Sequence, residues 1–493
     1  MRKIIYLLIA ALITTFIGCN EDEFLEPTPF GLAGDGTFFR NGDDALLAIN
    51  AVYTSLARQG DGFNSDHSWG LLGTDEVWKG GSDIADNSDQ AVMQNYTLTP
   101  GTVGQLTGRW GNNYQGINNA NKVIENVPDI EMDEVLKNRI LGEAYFLRGL
   151  FYFDLAKYFG GLVLIPENLK TPDAYLELRR SSLEETYAFI EADLNRAVDL
   201  LPVKSSYPPE DIGRATRGAA LALLVRANAY QSDFADVRTF SEALFALNEY
   251  ELADTYAEIF TPAGENGSGS IFEVQFQEAG QGWGNARQGT VNIPAFSPRS
   301  GGEFAGWGFS QPKLDLVNEY EAGDPRLDTK IYSVEGQAYN PNGGATSYFS
   351  RIMTAEPNGT YPNPGAPNDS PMNWRVLRLA DIYLYYAEAN AETDPATAVT
   401  YVNLVRARAR EGDPTILPDV PPGTTGQALI DAIRHERRVE TAMEGLRRFD
   451  LIRWEAYDIL EPLGFQRGKH ELMPIPQTEI DNFSGNLQQN PGY

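Results

Sequence analysis

The chain has 493 residues, with 39 Lys plus Arg against 68 Asp plus Glu, three His and a formal charge of −29. That balance excludes a grip on nucleic acid, whose affinity rests on cationic side chains releasing counterions, while 42% hydrophobic residues suffice to bury a sizeable core. The 47 Gly, 29 Pro and 11% aromatic residues leave room for long aromatic-bearing loops, a composition suited to stacking against neutral, hydroxyl-rich ligands.

Arg2 and Lys3 precede an apolar run from Ile4 to Ile17 that ends at Gly18-Cys19. At about 1.5 Å per residue the run reaches roughly 21 Å, short of a hydrocarbon core near 30 Å, so residues 1–18 read as a cleaved signal peptide and not as a membrane span. Cys19, the sole cysteine, stands where a bacterial lipoprotein carries its thioether-linked lipid, although Phe16 occupies the place usually held by Leu. The expectation is lipidation at Cys19, a tether over 19–40, and a mature chain with no thiol left for a disulfide.

Residues 41–260 read as helices. Ala45, Ile49, Val52, Tyr53 and Leu56 fall at helical spacing, with Gly60 as a stop. Trp110, Tyr114, Ile117, Ile124 and Val127 form a second stripe that ends at Pro128, with Asn side chains free to bond loops or backbone. Leu136, Ile140, Leu147, Phe151 and Tyr158 line a third helix up to Gly160-Gly161. Ser182 and Glu185 make a capping-box pattern ahead of Tyr187, Ile190 and Leu194. Thr216 caps a small-residue helix from Gly218 to Tyr230, and another helix is expected over 239–248. Helix pairs with short connections suggest a solenoid-like array of tetratricopeptide type, although no strict 34-residue repeat is present.

From 261 to 372 the texture turns to Gly, Pro, Asn, Ser and aromatics, with strand-like alternation only at Ile271 to Gln277. So long a segment without regular pattern, carried on a rigid scaffold, is where a ligand face is expected. Over 373–493 helices are expected at 379–391, 396–410 and 426–444, followed by a strand-like tail from Leu472.

Six segments of the chain, in order, are GNNYQGINNANKVIENV (111–127), GEAYFLRGLFYFDLAKYFGG (142–161), RLADIYLYYAEA (378–389), NLVRARAR (403–410), IRHERRVETAMEGLRRFDLIRW (433–454) and PIPQTEIDNFSGNLQQNPGY (474–493). Together they resemble the SusD/RagB family, the surface glycan-binding lipoproteins of Bacteroidetes. The acidic run Asn20 to Glu23 is similar to the surface-export signal of such lipoproteins; a solvated charged linker is the bland alternative. The resemblance implies a mainly α fold, a TPR-like helical-hairpin scaffold with long irregular loops. It also implies an oligosaccharide or polysaccharide ligand, an outer-membrane location facing the exterior, and a SusC-like TonB-dependent transporter as partner, without catalysis.

No nucleophile elbow, HExxH helix, Walker loop or dinucleotide fingerprint occurs. The Arg/Glu block at 434–455 offers Glu440 with Arg437, and Glu444 with Arg447 and Arg448, at spacings that pair on one helix. These read as architectural, with Trp454 offering a face to a guanidinium. His67, His435 and His470 read as packing or surface residues. Asp83, Asp86, Asn87 and Asp89 could supply oxygens to Ca²⁺, though not at EF-hand spacing, and a solvated acidic loop is the simpler reading; no cofactor is expected otherwise.

Sugar binding needs an aromatic plate for the C–H faces of pyranose rings, ringed by polar groups for the hydroxyls. Trp78, Trp283 and Trp307, outside the helical stripes, are the candidate plates, and Lys79, Asp83, Asn285 and Arg287 the polar neighbours; each Trp could instead anchor its loop. Trp110 and Trp454 read as core. Two rival functions stay open: a peptide-binding TPR-like uptake lipoprotein, and a surface glycoside hydrolase whose carboxylate pair is not identifiable from sequence.

Overall fold

The structure is a computed structural model that describes residues 38–57, 65–102, 104–168, 174, 177–277, 295–299, 306–334, 347–352, 371–483 and 486–493. Ten helices carry the scaffold: α1 (Gly42–Ala57), α2 (Gly104–Asn126), α3 (Glu134–Phe159), α4 (Leu183–Leu200), α5 (Arg217–Gln231), α6 (Phe234–Ala246), α7 (Leu379–Asn390), α8 (Pro395–Ala409), α9 (Gly426–Glu440) and α10 (Arg447–Arg453). Consecutive helices pack on each other, α2 on α3, α3 on α4, α5 on α6 and α7 on α8, which is the expected TPR-like hairpin scaffold.

α3 is the axis of the first half. Asp133 caps it by accepting from the Leu136 amide, and Gly160, at φ +78°, ends it. Its sequence suggests one apolar stripe, yet from Phe146 to Ala156 every residue is buried, because α1, α2 and α4 enclose it. Close approach requires glycine: a Cβ on Gly116 of α2 would lie 2.4 Å from the Phe151 ring. The polar side chains trapped here pair across helices, Arg148 with Asp193 of α4 at 2.6 Å and Arg109 of α2 with Asp154 at 2.6 Å. The Asn side chains of α2 bond as expected, Asn121 donating to the Ile165 carbonyl at 2.8 Å.

The Ser182/Glu185 capping box ahead of α4 makes both of its hydrogen bonds. Thr216 caps α5 through the Ala219 amide. α6 starts five residues earlier than Thr239, because Asp233 caps it by accepting from the Asp236 amide. α9 stops at Glu440, short of the expected Glu444, where Met443 and Gly445 take positive φ of +63° and +83° and turn the chain.

The segment 261–372 holds more regular structure than its composition suggests. β1 (Val77–Gly80) pairs antiparallel with β3 (Phe309–Pro312), β2 (Ser270–Val274) with β6 (Trp374–Arg378), and β4 (Ile331–Ser333) with β5 (Tyr348–Ser350). β2 overlaps the alternation expected at 271–277; the other strands, three to five residues long, are too short for alternation to show in sequence. The tail from Leu472 is not a strand: it carries a short helix, Gln477–Asn482, and is fastened by Asn490, which donates to the carbonyls of Phe159 and Met473.

The charge block at 434–455 is architectural, but its partners are not the local ones. Glu440 accepts from Arg378 of β6, Arg408 of α8 and Arg326, at 2.9, 2.6 and 3.2 Å. Glu444 accepts from Arg378 and Lys330, while Arg437 reaches Asp381 of α7 and Asp450 of α10. Arg447 pairs with Asp75, and Arg448 donates to the His470 carbonyl and the Tyr96 hydroxyl. The break after Glu440 is what frees these side chains to point across elements. Burial opposes ionisation of Glu440, but Arg408, Arg378 and Arg326 outweigh it and hold the carboxyl down at about 2.

Two outcomes follow. Glu440→Gln leaves three guanidinium groups short of their charge and should cost about 3–5 kcal/mol of stability by urea unfolding; a loss below about 1 kcal/mol would make the network ornamental. Glu76, whose carboxylate accepts from the Met443 amide at 3.2 Å, is pushed up by burial from 4.5 to about 7. The folded chain therefore keeps a proton that the unfolded chain has lost, so this contribution is full below pH 4.5 and is lost as pH rises through 7. A melting series from pH 4.5 to 8 should show that decline in the parent and a shallower one in Glu76→Gln.

Candidate functional site

The β1–β3 ribbon places the sequence candidates. Its register sets Val77 opposite Pro312, Trp78 opposite Gln311 and Gly80 opposite Phe309. Gly80 and Gly81 follow at φ +71° and +79°, and a Cβ on Gly80 would meet the Gly308 carbonyl oxygen at 2.0 Å, so only glycine passes the two strands this closely.

Beyond the glycines, residues 82–87 form a loop held from within. The Lys79 ammonium donates to the carbonyls of Asp83 and Asp86 at 2.8 and 2.6 Å. The Asp86 carboxylate accepts from the Ser82 amide at 2.7 Å and from Arg299, and lies below its usual range: burial opposes this, and those hydrogen bonds prevail. Asn87, in the left-handed region, caps the short helix Ser88–Gln94. Asp83 sits on the exposed tip, its carboxylate accepting from the amides of Ala85 and Asp86.

Lys79 was expected beside a ligand and is instead fully buried, its charge spent on the loop's own carbonyls. The calcium idea fares likewise. Asp83, Asp86 and Asn87 serve local backbone, Asp89 accepts from the Gln105 amide at 2.7 Å, and among the described residues no group of three or more His, Cys, Asp or Glu converges to hold a metal. His67 and His470 are buried and pushed down to about 4, chiefly by desolvation; His435 bonds Glu319 at 2.8 Å. Cys19, Trp283, Asn285 and Arg287 lie outside the described residues.

The described tryptophans separate cleanly. Trp69, Trp110 and Trp374 are buried in the main core, and Trp307, half-buried, packs against it. Trp307 therefore anchors its loop as well as facing outward. Trp454 is flanked by Arg434 and Arg453 at 4.9 and 4.8 Å and donates to Glu388. Trp78 is half-buried and belongs to no core cluster. Among the described residues one group stacks on its ring: the Lys313 ammonium, 4.2 Å from the centroid. Lys313 is buried and donates to the Thr74 carbonyl, and desolvation pushes it down to about 8. Sequence reasoning missed Lys313 because it meets Trp78 only through the β1–β3 pairing; a Lys directly after a short Pro-ended strand gives no sign of that contact.

Chemically, the ribbon and the loop that follows β1 offer an indole outside the core and an exposed carboxylate at Asp83, while Gln311, opposite Trp78, is buried. Exposed Ile84 and Leu314 rim the ribbon. The buried carboxylates Glu436, Glu440 and Glu444 are all matched by cations. No helix among the described residues is long and apolar enough to cross a membrane.

The pattern of the SusD family matches residues 268–462, and that of a family described as starch-binding, associating with outer membrane, matches residues 75–228. SusD-like protein P2 of Formosa agariphila is 27% identical over 98% of both chains. A solved structure described as a laminarin binding SusD-like protein is 30% identical, covers 92% of this chain and all of its own, and superposes with a TM-score of 0.82. Surface glycan-binding protein A from Bacteroides fluxus, at 27% identity, covers 92% of this chain and all of its own, with a TM-score of 0.79. Fold and sequence agree over nearly the whole length, and the chain belongs to the SusD/RagB family.

Proposed function

We propose that the chain captures a laminarin-like glycan on the outer face of the outer membrane, without cleaving it, and delivers it to a SusC-like TonB-dependent transporter. The observation that carries the ligand site is Trp78: it alone of the described tryptophans lies outside the core clusters without a hydrogen bond or a flanking pair of guanidinium groups to hold it. A half-open indole on a rigid two-stranded ribbon supplies the flat apolar surface that pyranose C–H faces require, and Asp83, exposed on the loop that follows β1, is a polar candidate for hydroxyls. The 30% identity to a laminarin binding relative supports the glycan class.

In this reading residues 1–18 are removed, Cys19 carries the lipid, 19–40 form the tether, 41–260 the helical scaffold, 261–372 the ligand region and 373–493 the closing helices and tail. Trp283, Asn285 and Arg287 belong to the ligand region as further candidate contacts, as does Trp307. Several acyl chains on one cysteine give stable anchoring, so Cys19→Ala should shift the protein from the membrane to the soluble fraction.

Affinity electrophoresis against a panel of polysaccharides that includes laminarin tests the ligand. Trp78→Ala should lose at least about tenfold in affinity, near 1.4 kcal/mol, while staying folded at the assay temperature, with a smaller loss in Trp307→Ala. Silence across the panel with retained peptide binding would replace glycan by peptide. Release of reducing ends on prolonged incubation would contradict the non-catalytic reading.

A further inference from the structure

We infer that Lys313 is a positioning residue for the Trp78 plate, covering one face of the indole so that a sugar ring can stack on the other face only. The inference rests on the glycan reading above and adds to it which face is used and what holds it.

The geometry is specific. Lys313 follows Pro312 at the end of β3, and its amide donates to the Glu76 carbonyl at 2.8 Å, which ties it to the residue two before Trp78. Its ammonium donates to the Thr74 carbonyl and stands 4.2 Å from the indole centroid. A buried ammonium ordinarily takes a carboxylate partner. Asp75 and Asp315 are the acidic groups that act on it, but Asp75 is taken by Arg438 and Arg447 and Asp315 by Arg438, itself a cation that acts on Lys313. Among the described residues no carboxylate lies within ion-pair distance of Lys313. Its charge is thus met by one carbonyl and by the ring face, and the attraction that satisfies the lysine also fixes the tilt of the indole.

A cation on one face makes the plate one-sided. The ligand is then held as on a shelf and not between two faces of the same ring. It also gives binding a pH dependence that a purely steric prop would lack. Burial lowers this ammonium to about 8, so its charge, and with it the hold on the indole, is lost on moderate alkalinisation. An arginine at the same place would stay charged throughout.

The test uses the full chain and laminarin as the probe, with parent, Lys313→Arg, Lys313→Met, Trp78→Ala and the Lys313→Met/Trp78→Ala double variant. Affinity and melting temperature are measured at pH 7.0 and 9.5. The parent should lose about three- to tenfold in affinity between the two pH values, Lys313→Arg should stay flat, and Lys313→Met should show the weaker affinity at both. The Lys313→Met loss should vanish in the Trp78→Ala background. A ligand-free readout runs beside it: indole emission should titrate with a midpoint near 8 in the parent, with that component absent from Lys313→Met and Trp78→Ala. Parent-like affinity and emission in Lys313→Met, alongside weakened binding in Trp78→Ala, would overturn the positioning role and leave the glycan face standing. Parent-like binding in Trp78→Ala would remove that face and the inference with it.

Discussion

The fold depends on buried carboxylates at the end of α9 and in the turn after it that are neutralised from other elements. Glu436, Glu440 and Glu444 have almost no contact with solvent, and each would be strongly disfavoured alone. Arg378 arrives from β6, Arg408 and Arg406 from α8, and Arg326 and Lys330 from the short helix Pro325–Lys330. Because every partner comes from a different part of the chain, satisfying the charges forces the C-terminal helices, the loop-rich segment and β6 into one arrangement. The net value of such a cluster is modest, but the cost of leaving it incomplete is large, and this asymmetry makes it a determinant of geometry.

That arrangement reaches the β1–β3 ribbon through the turn that breaks α9. Met443 donates to the buried Glu76 carboxylate, Arg447 and Arg438 grip Asp75, and the Arg448 amide donates to the Gly70 carbonyl. Residues 75 and 76 run directly into β1 and Trp78. The platform is therefore fixed to the C-terminal helices, which lie far off in sequence, while the loop beyond it is tied internally by Lys79. Rigid support beneath and an indole half-open above is an arrangement that keeps ligand binding from costing much ordering entropy.

Helices were legible where capping chemistry and periodicity coincide: Ser182 with Glu185, Thr216, and the stripe that ends at Pro128. Two boundaries slipped. Asp233 capped α6 earlier than the apolar pattern indicated, and the end of α9 was set by backbone turning at Met443 and Gly445 and not by loss of helix-forming residues. Apart from β2, which overlaps the alternation at 271–277, the short strands were invisible because three to five residues cannot display alternation, and the β1–β3 and β2–β6 pairings join segments far apart in sequence. For the same reason the i,i+3 and i,i+4 ion pairs were misjudged: sequence shows which charges could meet within a helix but not that stronger partners wait across the core. Trp78 stood out in the sequence as a tryptophan outside the helical stripes, and the structure places it outside the core clusters. Lys79 was a candidate through adjacency to Trp78 in sequence, but the two lie in a strand, where neighbouring side chains point to opposite faces, and Lys313 was missed because its contact is purely tertiary.

The central claim is that a half-open indole on the β1–β3 ribbon holds a carbohydrate. Hydrogen–deuterium exchange of the full chain with and without laminarin addresses it most directly, since a bound glycan slows exchange where it covers or steadies the backbone. Protection concentrated at residues 77–87 and 307–313, and lost in Trp78→Ala, is the predicted result. Tight binding with protection confined to other parts of the helical scaffold, and this ribbon unchanged, would contradict the account.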